Sequence, residues 1–317
     1  MEKERIRMSD IAQELGLSTA TVSNVIHGKT KKISDETVRR VQELIEKRGY
    51  MPNMAEILLA QNNSRIIGVV VNDHEKYEGH VLEDGFIAAS VNALSRETDL
   101  AGYFMMVKVT AKWDEIARFA SNIPFVVYDG YFEEAQGICN LTIDNYDGGC
   151  QVGRYLKRMG HQRILCIADN AICMDAERMK GCAAVLGESS VVLMQIPMQE
   201  KERRQFYKEK KAEILSYTAV FAVSDFYAVE LIRFLQENNI RVPEDISIVG
   251  FDDSPLCKYS LPALTTVRQD AQARAQAAIQ LLQKMKSGTE ERIAVKLPVF
   301  LVERSSVKNI LNQRKSE

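Results

Sequence analysis

From residue 66 onward, short uninterrupted apolar runs alternate with amphipathic stretches, and that alternation leaves few folds open. The runs are "IIGVVV" (66–71), "YFMMVKV" (103–109), "FVVY" (125–128), "RILCIA" (163–168), "VVLMQI" (191–196), "AVFAV" (219–223) and "ISIVGF" (246–251). Between them, segments 81–95, 146–159, 175–186, 226–238 and 270–286 carry helical spacing. A strand that is apolar on both faces must be covered on both, and strands separated by helices run parallel. So long a stretch of this pattern predicts two parallel-sheet units side by side. Ligands of such sheets sit beyond the carboxyl ends of the strands. Those ends carry Asn72, Asp73, Asp129, Ser224, Asp225, Asp252 and Asp253.

The first fifty residues follow a different period. In "SDIAQELGLSTATVSNVIHG" (9–28), Ser9 is placed to cap a helix over 10–15, and Gly16 ends it. Ser18 is placed to cap a second helix over 19–26, and Gly28 closes that one. Ser34 is a third cap, with Asp35 and Glu36 in the positive first turn of a helix that runs toward Gly49. Ile11, Leu15, Val22, Val25, Val41 and Leu44 form the expected shared core. Ala12, Gly16 and Val22 hold the spacing of a helix-turn-helix: a small residue for close approach, a glycine for the turn, an apolar residue locking the second helix. The outer face of that second helix then carries Thr19, Ala20, Ser23, Asn24 and His27. Short polar side chains of this kind suit a DNA major groove. The plainer reading is a helical hairpin in an accessory domain.

Charge does not decide between these readings. The net charge is −2. Residues 1–62 hold ten Lys and Arg against nine Asp and Glu, so contact with a polyanion would depend on the placement of single side chains. The six cysteines show no CxxC spacing and several lie in apolar runs, which predicts free buried thiols and no zinc site. The start "MEKERIRMSD" has no apolar core of a signal peptide, and no apolar run is long enough to span a membrane. A cytoplasmic protein without membrane contact is expected. No GxGxxG, GxSxG, HExxH or P-loop is present, so neither a catalytic residue, a metal nor a cofactor is assigned. His161 in "MGHQR" reads as structural, and His74 and His80 offer only a weak metal or catalytic alternative.

Nearly the whole chain resembles the lactose-repressor/galactose-repressor family of bacterial transcription regulators. The resemblance runs through "MSDIAQELGLSTATVSNVIHG", "ISDETVRRVQELIEKRGYMPN", "SRIIGVV", "IPFVVYDG", "TIDNYDGGCQVGRYLKRMGHQRILCIAD", "ERMKGCAAVL" and "LPVFLVERSS". "VPEDISIVGFDD" followed by "PALTTV" is its most specific part. The resemblance implies an all-α helix-turn-helix headpiece (1–52), a hinge helix and linker (53–65), and a periplasmic-binding-protein-like α/β sensor (66–317) of two parallel-sheet subdomains. These would be 66–143 plus 270–294, and 144–269 plus 295–317. It also implies a homodimer on a near-palindromic operator in double-stranded DNA. A small-molecule effector, sugar or sugar-like, would lie between the subdomains and control whether the hinge helices form. Such short helices are marginal alone, so a small change can bias them.

Carried over residue by residue, the resemblance puts Thr19, Ala20 and Asn24 at base edges and Ser18, Thr21 and Ser23 at phosphates. Ser18 reads equally as a cap, and His27 equally as a helix-end polar residue. Asn53 falls in the hinge. Leu59 matches a leucine that wedges into a central base step, or else "ILLA" packs the linker. Glu56 departs from the small residue the family has there. Arg178 in "ERMKG" matches an arginine that bonds effector oxygens. Asp129, Ser224 and Asp252 match acceptors of sugar hydroxyls, and Asp225 reads better as the cap of the helix that follows. Asp144 and Gln269 lie near the crossovers, lining the cleft or satisfying backbone there; Tyr77 offers an aromatic face.

Two departures affect the first subdomain. "NDHEKYEGHVLEDG" replaces an aromatic stretch, and only residues 110–122 separate "YFMMVKV" from "IPFVVYDG". The first subdomain is therefore expected to lack a strand–helix unit. Three rivals follow: a regulator that has lost small-molecule control, a cytoplasmic solute-binding protein, and an α/β enzyme.

Overall fold

A computed structural model describes residues 8–26, 29–48, 65–73, 75–110, 124–128, 138–170, 172–286 and 293–311. The chain divides into two compact units, residues 1–66 and 67–317.

The first unit holds α1 (Met8–Leu15), α2 (Thr19–Ile26) and α3 (Asp35–Arg48). Their facing stripes bury Ile11, Ala12, Val22, Val25, Val41 and Leu44, with Leu15 only partly covered. Gly16 sits at φ +67°, where a side chain is disfavoured, and the Leu17 amide bonds the Ala12 carbonyl at 2.9 Å to close the turn. Ser9 is not a cap: α1 already includes it, and its hydroxyl turns to Asp10 instead. Ser34 does cap α3, accepting from the Thr37 amide at 3.3 Å. Arg48 at the end of α3 bonds Glu14 on α1 (Nε to Oε2, 2.9 Å).

The second unit contains β1 (Ile66–Asn72), α4 (Gly85–Leu100), β2 (Phe104–Thr110), β3 (Phe125–Tyr128), β4 (Ile138–Ile143) and α5 (Asn145–Arg158). It continues with β5 (Ile164–Ala168), α6 (Cys173–Leu186), β6 (Val191–Gln195), α7 (Glu200–Ile214), β7 (Ala219–Ala222), α8 (Asp225–Glu237) and β8 (Ser247–Val249). Last come α9 (Leu256–Tyr259), β9 (Thr266–Arg268), α10 (Ala271–Lys286), β10 (Ala294–Leu297) and β11 (Phe300–Val302). Two parallel sheets dominate, ordered β10-β4-β3 and β6-β5-β7-β8. β1 pairs with β2, and β11 runs antiparallel to β9.

β5 and β7 are buried along their whole length, as strands covered on both faces must be. The first half is different: β2 leaves Phe104, Met106, Val107 and Val109 exposed. β4 and α7 were not expected. β10 holds Val295, Lys296 and Leu297 against β4 in the first sheet, so the last crossover follows Leu297 and not residue 294. The expected helix over 81–95 starts later, at Gly85, because Asp84 caps it by accepting from the Phe86 and Ile87 amides. All six cysteines are free; five are buried and Cys173 is exposed at the start of α6. His161 is fully buried between Thr218 Oγ1 (2.9 Å) and the Lys308 carbonyl (3.1 Å), a structural role. The shortened interval lies largely outside the described residues.

Candidate functional sites: a recognition helix and a sensor cleft

In the first unit, burial splits α2 into two faces. Val22 and Val25 point into the core, while Thr19, Ala20 and Asn24 are exposed and Thr21 and Ser23 half-buried. Ser18 is the cap: its hydroxyl accepts from the Thr21 amide at 3.1 Å and lies 2.9 Å from Thr21 Oγ1. Among the described residues, the exposed face presents short side chains, with no bulky group to keep a duplex backbone away. His27, Asn53, Leu59 and Asp129, together with Glu56 and His74, lie outside the described residues.

In the second unit, the strand order β6-β5-β7-β8 reverses between β5 and β7. A crevice opens at such a switch point, beyond the strand ends. Asp169 follows β5 there and Ser224 follows β7, and both are buried. Arg178 lies beside them on α6, only 5% exposed. Its Nε donates to Asn145 Oδ1 (2.9 Å) and one terminal nitrogen to the Val223 carbonyl (2.6 Å). The guanidinium stacks 3.8 Å from the Phe251 ring centroid and stands 3.9 Å from Asp175 and 3.8 Å from Asp252. So fixed a planar cation, with carboxylates on two sides, is suited to orient an oxygen-rich ligand.

Asp252 is held at φ +122° in "GFDDS", and its Oδ1 accepts from Gln269 Nε2 at 2.6 Å. Gln269 in turn accepts from buried Arg274 on α10 (2.8 Å), whose guanidinium lies over the rings of Tyr128 and Phe86. A polar chain therefore joins the first sheet's helix α10 to Arg178 across the crossover. Asp144 caps α5, accepting from the Asp147 amide at 2.9 Å, so it satisfies backbone. Tyr77 is half-buried in a short 3-10 turn, with the Lys76 ammonium 4.9 Å from its ring centroid.

At α8 the cap is not the expected residue. Ser224 is the cap, and Asp225 is the first helical residue, 1% exposed. Both Asp225 oxygens serve the "GFDDS" loop and its neighbour: Oδ2 accepts from the Ser254 amide (2.7 Å) and Oδ1 from Thr266 Oγ1 (2.5 Å). Helix start and loop anchor compete for one side chain, and the deeper partners win. Asn145, Asp169, Asp175 and Phe251 were missed from sequence.

Burial pushes the Asp175 carboxyl up to about 6, against the pull of Arg178 and with a further push from Asp169. Unfolded, such a group titrates near 4. Between these values the folded protein holds the proton and the unfolded chain does not, so falling pH stabilises the fold. We expect wild type to gain about 1–2 kcal/mol over Asp175→Asn between pH 7 and pH 4.5 in urea unfolding. A constant difference across that range would remove the argument.

Residues 7–53 match the family described as bacterial regulatory proteins, lacI family, and residues 154–307 match the periplasmic binding protein-like domain. The HTH-type transcriptional repressor PurR of Vibrio atlanticus is 28% identical over 335 aligned positions, covering 96% of this chain and 99% of the relative. PurR of Erwinia tasmaniensis is 29% identical, covering 95% and 96%. Among solved structures, a lac repressor dimer bound to operator and the anti-inducer ONPF superposes with TM-score 0.77 at 22% identity, covering 96% of this chain and all of that one. A LacI family regulator from Enterococcus faecium with bound ribose gives TM-score 0.64 at 22% identity, covering 77% and 99%. The chain joins a headpiece of the lacI family of bacterial regulatory proteins to a periplasmic-binding-protein-like domain, the build of a DNA-binding transcription regulator with a sensor.

Proposed function

We propose that the chain is a cytoplasmic repressor that binds a near-palindromic operator as a homodimer, under control of a small polyhydroxylated effector in the sensor cleft. The observation that carries the DNA half is the division of α2 into a buried apolar face and an exposed Thr19–Ala20–Asn24 face behind the Gly16 turn. PurR relatives that span nearly the same length support the repressor reading. His27, Asn53 and Leu59 belong to the proposed DNA contacts by family resemblance alone.

Asparagine pairs with adenine through two hydrogen bonds. Asn24→Ala is expected to weaken operator binding by about 1–3 kcal/mol and to relax one position in each half-site. Selection of bound sequences from a random pool checks this, and an unchanged preference would exclude Asn24 from base reading.

For the effector, Arg178, Asp252, Gln269 and Ser224 supply the donors and acceptors a sugar needs, with Asp129 added by resemblance. The structural neighbour solved with ribose supports a sugar-like class. Thermal shifts of the full chain against sugars, sugar phosphates, nucleosides and small acids should give a saturable rise for one class. That rise should be lost in Arg178→Met.

A shortened first subdomain is part of the proposal. The alignment with the Vibrio atlanticus relative has 335 positions, more than the 317 residues of this chain, so the relative has residues with no counterpart here. A second reading, regulation without an effector, is favoured by the turn at residues 75–80, which already spans the cleft.

A further inference from the structure

α7 begins without help from its own sequence: its cap residue, Gln199, makes no side-chain bond to the first turn. The Glu200 amide is instead met by Glu78 Oε1 at 3.2 Å. Glu78 comes from the far side of the cleft, on the turn between β1 and α4. Its backbone is left-handed (φ +48°), as is that of Gly79 (φ +87°), so the turn is folded back on itself. The adjacent Lys76 reaches the same wall at another place. Its ammonium stands 5.7 Å from the ring centroid of Tyr227 on α8, and its charge favours the ionised form of Asp175 on α6. One short turn of the first half therefore touches two helices of the second, a carboxylate on the N-terminus of α7 and a cation over an aromatic face of α8, and its cation acts through space on Asp175 of α6. Each contact has the sign that stabilises it.

The geometry points to a built-in latch: residues 75–80 hold the sensor cleft closed from within, with Lys76 acting as a tethered internal ligand of the α6–α8 wall and Glu78 clamping α7. This rests on the cleft being the effector site, and it adds that an effector must compete with the chain's own Lys76.

The test is hydrogen–deuterium exchange on the full chain, with neither DNA nor ligand present. Glu78→Asn keeps the left-handed turn and withdraws the carboxylate from reach. Lys76→Met keeps the aliphatic stem, drops the charge, and leaves the Glu78 contact on α7 in place. Both are expected to speed exchange at residues 200–202 by roughly three- to tenfold, leaving β5 and β7 as slow as in wild type. If Lys76→Met leaves 200–202 unchanged while Glu78→Asn speeds them, Glu78 is a local cap and the latch is overturned. If neither changes them, both contacts are idle and the latch is overturned again. Slow exchange in β5 and β7 reports that each variant is folded. The readout needs no effector, so failure to find one leaves the latch standing, and an idle latch leaves the effector site untouched.

Discussion

Gly149→Ala should lower stability by about 3 kcal/mol, an unusually large effect for one added methyl group. α5 and α6 cross with their backbones in contact. A β-carbon at Gly149 would lie 1.9 Å from the Arg178 carbonyl oxygen, and one at Gly181 would lie 1.9 Å from the Tyr146 carbonyl oxygen. Neither obstacle is a side chain that can rotate away, so the helices must separate. Overpacking a tight interior usually costs about 1–3 kcal/mol, and backbone obstacles put this site at the upper end. Gly181→Ala should cost a similar amount. The double variant should cost less than the sum, because one separation relieves both clashes. Gly68 in β1 is the control, with nothing within 4 Å of its β-carbon position, and Gly68→Ala should be close to neutral. Urea unfolding of the four variants beside wild type checks this; a Gly149→Ala cost within ~0.5 kcal/mol of the control would mean the helices have slack.

The same crossing aims the cleft cation. Asn145 and Arg178 meet across it, so separating α5 from α6 displaces the guanidinium even if the fold survives. Under the proposed effector control, a loss of response in Gly149→Ala at temperatures where it remains folded would share its cause with the loss of stability.

The sheets were legible because an apolar run announces itself without knowledge of its neighbours. β4 was not, since Asn140 and Thr142 interrupt "ICNLTI", although the strand sits in the middle of its sheet. α7 was hidden for the opposite reason. "EKERRQFYKEKKAEI" is nearly all charge, and the residues it buries are Arg203, Tyr207 and Ile214. In the headpiece almost everything that matters is local, so spacing was enough; Ser9 failed because α1 begins one residue before it. In the cleft, Arg178 could be picked out by resemblance, but its partners Asn145 and Val223 lie far along the chain and carry no pattern. Asp169 and Asp175 became meaningful only once the switch point between β5 and β7 brought them together. The choice of cap between Ser224 and Asp225 was undecidable locally, because either residue can cap a helix; Ser254 from the "GFDDS" loop and Thr266 from β9 decided it.

Arg203 is fixed by partners that no local pattern announces. It lies in the most charged of the described helices, where an arginine is ordinarily a surface residue, yet its side chain is fully buried. Its guanidinium grips both oxygens of Glu230 (one at 3.0 Å) and the carbonyls of Pro197 (3.1 Å) and Met198, and it lies over the rings of Phe226 and Tyr227. Arg203→Met would keep much of the volume but leave a mostly buried carboxylate without its partner. Removing one side of a buried pair costs about 3–5 kcal/mol, most of it the penalty on the partner left behind. Arg203→Met with Glu230→Met should therefore be more stable than Arg203→Met alone. It should not regain wild-type stability, because the two carbonyls still lack their donor. Acidity supplies an independent check. Burial already raises the Glu230 carboxyl above its usual range, and Arg203 is what holds it down. Without Arg203 the folded protein binds that proton more tightly than the unfolded chain does, so the single variant should recover stability as pH falls from 8 toward 5. A deficit that stays constant over that range would show that the lost packing against Phe226 and Tyr227, and not the orphaned charge, is what Arg203 contributes to the cleft wall.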